Sequence, residues 1–277
     1  MTTLTLTKHH GLGNDFLVLL DEPAVDLAAL ARRLCDRRRG IGADGLLVAA
    51  RNGGSIDGGA VRMSLFNADG SRAEMSGNGI RCFAQAIAAS RGDLGDLLVH
   101  TDAGDRTVTM KPTAEPDTIV ATVDMGEVAR IDEPAGWPSL GCHPDRPVMH
   151  LSLGNPHSVV GVDEVGVVDL LELGGKVPQV NLEIVEPGPE ATAITMRVHE
   201  RGAGITEACG TGACAAAFAA RAWGLVAGSV DEVTVHMDGG TAIVGFDAER
   251  AGHVSLTGPA TLVATVQVDL DGEVKVA

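Results

Sequence analysis

Apolar and polar residues alternate over short stretches in both halves of the chain. Residues 60–66 (AVRMSLF) and 192–199 (TAITMRVH) have the two-residue period of a strand with one buried face. Residues 80–90 and 213–223 are instead rich in Ala and contain neither Pro nor Gly, a composition that favours helix. The pattern therefore predicts a chain built mostly of strands, with one long helix in each half.

The remaining elements follow from the same reading, with Gly, Pro, Asn and Asp marking the turns. Strands are predicted over 4–8, 16–20, 46–50, 60–66, 96–101, 106–111, 118–125, 148–153, 180–185, 192–199, 232–237, 241–246, 252–257 and 260–268. Helices are predicted over 27–38, 80–90, 167–173 and 213–223, and loops over 53–59 and 132–147. Many hairpin-spaced strands around few helices indicate an α+β fold.

A short motif occurs twice and organises both halves. Glu74–Gly79 (EMSGNG) and Glu207–Gly212 (EACGTG) share the form E-x-[S/C]-G-x-G, 133 residues apart, and each precedes a predicted helix. A second pair, Leu12-Gly-Asn14 and Leu153-Gly-Asn155, lies earlier in each half. Two motifs that recur in the same order in both halves indicate a duplicated half and two pseudo-symmetric lobes. We expect an N-terminal lobe over 1–117, to which a strand within 263–277 returns, and a C-terminal lobe over 118–262.

The position of the motif before a helix suggests that it binds an anion and that its Ser or Cys side chain takes part in a reaction. Bare N–H groups and the helix dipole at a helix N-terminus attract anions, and a Cys placed there is expected to have a lowered pKa. If the lobes face each other, one substrate carboxylate can sit on both helix N-termini, with Ser76 and Cys209 on opposite faces of the adjacent carbon. The alternative is that each Gly-x-Gly is only a tight turn.

The stretch Gly40–Gly45 (GIGADG) matches the dinucleotide-binding pattern G-x-G-x-x-G. That pattern should follow an apolar strand and open a helix. Here it follows the charged end of a predicted helix and precedes a predicted strand, so we interpret it as a helix-to-strand connection with glycine turns.

Composition narrows the class of protein. The 277 residues are 45% hydrophobic and carry a formal net charge of −16, which argues against a nucleic-acid or anionic-membrane partner. Five Cys occur without a C-x-x-C pair, so neither a zinc site nor a disulfide framework is indicated. The N-terminus lacks the apolar core of a signal peptide. We expect a cytoplasmic protein with reduced thiols and no bound metal.

At these motifs the chain resembles the diaminopimelate epimerase family of cofactor-independent amino-acid epimerases. The matching stretches are KHHGLGNDF (8–16), RRRGIGADGLL (37–47), FNADGSRAEMSGNGIRCFA (66–84), LGNPHSVV (153–160), VNLEIV (180–185) and HERGAGITEACGTGACAAA (199–217). The resemblance implies lobes in which sheets wrap a central helix, epimerisation of LL-diaminopimelate to meso-diaminopimelate in lysine and peptidoglycan precursor synthesis, no cofactor, and a homodimer.

The resemblance also implies roles for particular residues. Cys209 matches one of two catalytic cysteines, and Glu200 and His157 match residues that tune the thiols. The reacting carboxylate would sit on the N–H groups of Gly77, Asn78, Gly210 and Thr211. The distal amino-acid end of the substrate would be held by Asn14, Asn67, Asn155, Asn181, Glu200 and Arg201. These types suit a zwitterion, because Arg pairs with a carboxylate and Asn offers both donors and acceptors.

Ser76 departs from the family pattern, since it stands where the second catalytic cysteine is expected. A Ser hydroxyl is a far weaker acid than a thiol and does not serve as a base at neutral pH without help. Three interpretations stay open: an engineered substitution that silences the enzyme, a natural variant with impaired proton transfer, or a changed reaction. Accordingly, the alternatives to an impaired epimerase are a lyase or dehydratase of the wider superfamily and a catalytically silent amino-acid-binding protein.

Overall fold

The computed structural model describes residues 3–50, 60–270 and 274–276, so the loop predicted over 53–59 lies outside the described residues. The chain forms two compact units, Met1–Val123 with Gly258–Ala277, and Asp124–Thr257. The strands are β1 Thr3–Gly11, β2 Asn14–Leu19, β3 Gly45–Ala49, β4 Ala60–Asn67, β5 Arg72–Ala73, β6 Leu97–Thr101, β7 Gly104–Pro112, β8 Thr118–Glu127, β9 Ala129–Arg130, β10 Val148–Ser152, β11 Pro156–Gly161, β12 Asn181–Pro187, β13 Ala193–Glu200, β14 Gly204–Thr206, β15 Glu232–Met237, β16 Gly240–Phe246, β17 His253–Asp269 and β18 Val274–Val276. The α-helices are α1 Leu27–Cys35, α2 Gly77–Arg91, α3 Leu170–Lys176 and α4 Gly210–Trp223.

In the first unit, strands are paired in a circle. The order is β1-β2-β3-β4-β6-β7-β8, and β17 pairs with both β8 and β1. The β2–β3 and β4–β6 pairs are parallel, and the other neighbours whose register is known are antiparallel. The circle suits a helix at its centre, and every residue of α2 from Gly77 to Ala88 is buried.

The second unit repeats this order. Its strands run β10-β11-β12-β13-β15-β16-β17, with parallel pairs again at β11–β12 and β13–β15. The short strands β5 and β14 pair with β4 and β13, the corresponding strands of the two units. The predicted α+β architecture and the duplication inferred from the repeated motifs are confirmed by this shared order.

The structure corrects several predicted elements. Strand β11 was not predicted, because it is buried along nearly its whole length and shows no alternation after the Asn-Pro turn. The two strands predicted over 252–257 and 260–268 are one continuous strand, β17. Helix α1 ends at Cys35 rather than at residue 38, and α3 begins three residues later than predicted. The predicted loop 132–147 contains a 3₁₀ turn at Trp137–Leu140.

The connection Gly40–Gly45 lies where the sequence placed it, between α1 and β3. The turn is held by backbone bonds from Gly40 to Asp36 and from Ile41 to Leu34. A Cβ at Gly40 would come within 2.3 Å of the Arg33 carbonyl oxygen, so this glycine serves close packing of the turn against the helix end.

Helix α3 lies close to β13, the strand that ends at Glu200. Gly174 makes this approach possible, because an added Cβ would stand 2.1 Å from the ring Cγ of His199. The neighbouring Gly175 has nothing within 4 Å of such a Cβ.

We therefore expect opposite effects from two adjacent substitutions. Gly175→Ala should raise stability by about 0.5–1 kcal/mol, the usual gain of helix propensity. Gly174→Ala should lower it by about 1–3 kcal/mol, because overpacking against His199 outweighs that gain. Thermal unfolding of the two variants measures this. If both variants were equally stabilised, α3 would not approach β13 as closely as described.

Candidate functional site

Both copies of the repeated motif form the N-cap of a buried helix. Ser76 caps α2 in extended backbone conformation (φ −138°, ψ 124°), and its Oγ accepts a hydrogen bond from the Gly79 N–H at 3.0 Å. Cys209 caps α4 in nearly the same conformation (φ −124°, ψ 115°), and its Sγ accepts from the Gly212 N–H at 3.4 Å. The hydroxyl and the thiol thus occupy equivalent positions in the two units.

In the first unit, the predicted residues Asn14 and Asn78 contact each other. The Asn78 side-chain amide donates to Asn14 Oδ1 at 3.2 Å, and Asn14 donates to Asp44 Oδ2 at 2.7 Å. Arg81 is completely buried and donates to Asn78 Oδ1 at 2.8 Å and to the Gly77 carbonyl at 3.0 Å. The first turn of α2 therefore carries a buried cation and side chains held in fixed orientations.

The predicted residue Asn67 sits apart from these contacts, at the end of β4 where a turn begins. Its amide donates to Ser71 Oγ at 3.0 Å, and its backbone carbonyl accepts from the Gly70 N–H at 2.9 Å. These bonds are those of a turn-forming Asn.

In the second unit, four predicted residues belong to one hydrogen-bonded series. Asn155 donates to Thr211 Oγ1 at 3.1 Å, and the Thr211 hydroxyl lies 3.5 Å from Cys209 Sγ. On its other side, Asn155 Oδ1 lies 3.0 Å from His157 Nε2. His157 Nδ1 lies 2.6 Å from Glu183 Oε1, and both side chains are fully buried.

A second group in this unit lies where β13 ends. Thr206 donates to Glu200 Oε1 at 2.6 Å, and the Arg201 N–H donates to Asn181 Oδ1 at 2.8 Å. Asn181 is buried at the start of β12, Glu200 is half-buried, and Arg201 is exposed. The Asn181 side chain thus fixes the backbone that carries the Glu200 carboxylate and the Arg201 guanidinium.

The expected lowering of the Cys209 pKa is wrong for this structure. Burial, followed by the negative charges of Glu200 and Glu183, raises the pKa of the Cys209 thiol well above its ordinary value. Hydrogen bonds from Thr211 and Gly212 act in the opposite direction but do not outweigh those effects. The position at a helix N-terminus was a correct prediction, but the charges come from strands β12 and β13, which are distant in sequence.

Of the other cysteines, Cys35, Cys82 and Cys214 are buried, whereas Cys142 is only partly buried in a loop.

Three charged residues that contact the predicted site residues were not identified from the sequence. Glu183 is an acid inside an apolar run (VNLEIV), and Arg81 is a cation in an Ala-rich helix directly after the motif. Both are signals of a buried charge with a special role, since such residues are rarely buried without partners. Asp44, in the connection before β3, is the third.

The described residues hold no group of three or more His, Cys, Asp or Glu side chains placed to bind a metal ion. In the same part of the chain, no helix is both long and apolar enough to cross a membrane.

Comparison with solved structures identifies the class of fold. A predicted epimerase from Pseudomonas aeruginosa has a TM-score of 0.75 at 17% identity, with 98% of this chain and 100% of that chain covered. A hydroxyproline epimerase from Agrobacterium vitis has a TM-score of 0.69 at 17% identity, covering 98% and 93%. A phenazine biosynthesis protein of the PhzF family from Bacillus anthracis has a TM-score of 0.72 at 15% identity, covering 98% and 100%. The fold is thus the two-lobed fold found in these epimerases and phenazine biosynthesis proteins.

Sequence relatives narrow the class. The model of the family described as diaminopimelate epimerase matches residues 6–131 and 149–263. A diaminopimelate epimerase from Streptomyces coelicolor is 39% identical over 97% of this chain and 96% of its own length, and one from Magnetococcus marinus is 38% identical over 92% and 94%. The chain therefore belongs to the diaminopimelate epimerase family and is an isomerase.

The charge of Glu200 gives a test of the electrostatics at Cys209. Because that charge raises the pKa of the thiol, Glu200→Gln should lower it, and alkylation of Cys209 should begin at lower pH. Iodoacetamide labelling at several pH values, followed by peptide mass spectrometry, measures the shift. Cys142 in the same digest is the control and should be unaffected. An unchanged profile for Cys209 would show that Glu200 does not act on the thiol.

Proposed function

We propose that this protein converts LL-diaminopimelate to meso-diaminopimelate without a cofactor, at a rate reduced by Ser76. The observation that carries the proposal is the equivalent placement of residues 76 and 209 as helix caps in a chain of this family. Inversion at carbon requires one group that removes a proton and another that returns one on the opposite face. In this proposal Cys209 and residue 76 are those groups.

The electrostatics assign Cys209 a starting role. Burial and the charge of Glu200 raise the pKa of the Cys209 thiol, which favours its protonated form, so in this proposal Cys209 begins as the proton donor. The other group must then begin as the base. Ser76 has no carboxylate or imidazole as a hydrogen-bond partner among the bonds described for it, and its hydroxyl is a poor base at neutral pH. In this proposal the slow step is therefore the removal of a proton by residue 76.

The substrate carboxylate next to the reacting carbon is proposed to bind helix N-termini. The N–H groups of Gly77 and Asn78 in α2, and of Gly210 and Thr211 in α4, lie in the first turns of those helices. Such groups have no helical acceptor and favour an anion.

The distal amino-acid end of the substrate is proposed to bind mainly through residues 200 and 201. Glu200 suits the ammonium group and Arg201 the carboxylate, and Asn181 orients both by holding the Arg201 N–H. Asn14, Asn67 and Asn155 are the further polar residues of this proposal. We also propose, from the family resemblance, that the protein acts in the cytoplasm as a homodimer.

Restoring a thiol at position 76 tests the proposal. Ser76→Cys should raise epimerisation about 10²–10⁴-fold, the usual contribution of a positioned acid or base. The measurement is NMR of LL-diaminopimelate in D2O, which reports both meso product and deuterium at the α-carbon. If the unaltered protein epimerises as fast as Ser76→Cys, residue 76 is not one of the two groups.

The same spectra separate the alternatives. Loss of a β-substituent or of water, with an unsaturated product, would indicate a lyase or dehydratase. Binding without deuterium exchange in either protein would indicate an amino-acid-binding function. Exchange with inversion in Ser76→Cys supports the epimerase.

The distal contact is tested by Arg201→Lys. Lysine keeps the charge but loses the two-pronged geometry of the guanidinium, so binding of diaminopimelate should weaken by about 1.5–3 kcal/mol. Isothermal titration calorimetry measures the change. Arg197→Lys is the matched control, because Arg197 lies on β13, which ends one residue before Arg201, and pairs with Asp238 at 3.2 Å instead. Equal affinity in Arg201→Lys and the control would remove Arg201 from the site.

A further inference from the structure

In the first unit a pair of asparagines lies between two charged side chains. Arg81 donates to Asn78 Oδ1 at 2.8 Å, and the Asn78 amide nitrogen donates to Asn14 Oδ1 at 3.2 Å. The Asn14 amide nitrogen in turn donates to Asp44 Oδ2 at 2.7 Å. We call Asn14 and Asn78 the amide pair. Each of its members contacts the other member and one charged group.

The charged groups allow the amide pair only one direction of hydrogen bonding, because a guanidinium only donates and an ionised carboxylate only accepts. Arg81 requires the oxygen of Asn78, which leaves the Asn78 nitrogen toward Asn14. Asp44 requires the nitrogen of Asn14, which leaves the Asn14 oxygen toward Asn78. The two requirements agree, so the carbonyl oxygen of Asn14 is held toward the first turn of α2.

The second unit has no carboxylate at the position that corresponds to Asp44. Asn155 is the counterpart of Asn14 in the repeated motif Leu-Gly-Asn. The matching parallel pairs of β2 with β3 and of β11 with β12 then make Val180 the counterpart of Asp44. Val180 is a buried apolar residue, so it offers no side-chain acceptor to Asn155.

The two equivalent asparagines present opposite ends of their amides to the helix start. Asn155 contacts Thr211, the counterpart of Asn78, through its amide nitrogen at 3.1 Å, whereas Asn14 contacts Asn78 through its oxygen. A hydroxyl both donates and accepts, so Thr211 does not impose a direction on Asn155. In the first unit a fixed acceptor, Asp44, takes the nitrogen of Asn14.

The carboxylate of Asp44 divides its oxygens between a surface ion pair and this contact. Oδ1 pairs with Arg37 at 2.7 Å, but the two side chains are 39% and 56% exposed, and such pairs add little stability. Oδ2 accepts from the Asn14 amide and from the Asp15 N–H at 3.0 Å. The backbone of Asp44 has bonds of its own, to the Asp15 carbonyl at 2.9 Å and from the Ala68 N–H at 3.0 Å.

We propose that Asp44 is a positioning residue for Asn14, which it holds with the carbonyl oxygen at the N-terminus of α2 as an acceptor for an ammonium group of the substrate. A carbonyl oxygen has two lone pairs, and Asn78 uses one of them. The inference rests on the proposed function in taking Asn14 as a residue that binds diaminopimelate.

The first test follows the Asn14 side-chain amide by NMR in the full-length protein without substrate. Its signals are identified by their loss in Asn14→Ala. Hydrogen exchange of this amide should become about tenfold faster in Asp44→Ala, because a hydrogen bond to a charged group is lost. Equal exchange rates in the two proteins would overturn the proposal. Thermal unfolding should show that Asp44→Ala is folded, since its backbone bonds remain.

Two control variants separate this contact from the ion pair. Because the Asp15 N–H also donates to Oδ2, Asp44→Asn should place its oxygen there and its nitrogen toward Arg37. This variant keeps an acceptor for Asn14 and loses the ion pair, and Arg37→Gln removes the ion pair from the other side. Exchange should stay slow in both. If either control exchanged as fast as Asp44→Ala, the ion pair and not the contact with Asn14 would be responsible, which would overturn the proposal.

A double-mutant cycle tests whether Asp44 affects substrate binding through Asn14. In isothermal titration calorimetry, Asp44→Ala should weaken binding of diaminopimelate about threefold to tenfold, the usual effect of one neutral hydrogen bond, and Asp44→Asn should bind like the unaltered protein. Added to Asn14→Ala, the change Asp44→Ala should have no further effect. Equal weakening in both backgrounds would show that Asp44 does not act through Asn14.

The two readouts distinguish failure of this inference from failure of the proposed function. If diaminopimelate binds neither the unaltered protein nor its variants, the proposed function is wrong, and the exchange rates, which need no substrate, still decide whether Asp44 holds Asn14. Weaker binding in Asn14→Ala with unchanged binding in Asp44→Ala would contradict this inference and leave the proposed function intact.

Discussion

The structure depends on placing the N-terminus of a helix inside a wrapped sheet. The first N–H groups of α2 and α4 have no helical acceptors and are buried from their first residues onward, so leaving them without partners would cost free energy. The caps Ser76 and Cys209 satisfy one N–H each. In α4 most of the buried residues that follow are Ala, which lets the strands pack closely around the helix. Helix α2 also buries large side chains, such as Phe83 and Arg81.

The two units share this arrangement of a capped, buried helix N-terminus but differ in the charged residues beside it. Beside the cap of α2 lies the buried cation Arg81, whereas acids surround the cap of α4 and raise the pKa of Cys209. A cation near a thiol favours its ionised form and an acid favours its neutral form. A duplicated fold thus presents two equivalent caps in different electrostatic environments.

The sequence was sufficient for the fold and for placing both copies of the repeated motif near helix N-termini. Strand alternation, Ala-rich helices and two ordered repeats led to the α+β duplication. The repeated Gly-x-Gly was expected before each helix, whereas it forms the first turn, at Gly77–Gly79 and Gly210–Gly212. It failed where buried strands show no alternation, as in β11, and where long-range electrostatics matter. Glu183 lies on β12 and Glu200 on β13, far from Cys209 in sequence, so their effect on its pKa could not be derived from the motif. The contacts that join Glu183, His157, Asn155 and Thr211 likewise bring together β12, β11 with the turn before it, and the first turn of α4, which are separated in sequence.

The structure also explains why Ser76 is compatible with an intact fold. Serine is among the preferred N-cap residues, and its hydroxyl accepts the Gly79 N–H at 3.0 Å, a shorter bond than the 3.4 Å from Gly212 to Cys209. The capping role therefore does not require sulfur, and a polarisable thiol caps less well than an oxygen. Stability and proton transfer make different demands on the same atom. The helix start on which the unit is built is therefore compatible with serine at position 76.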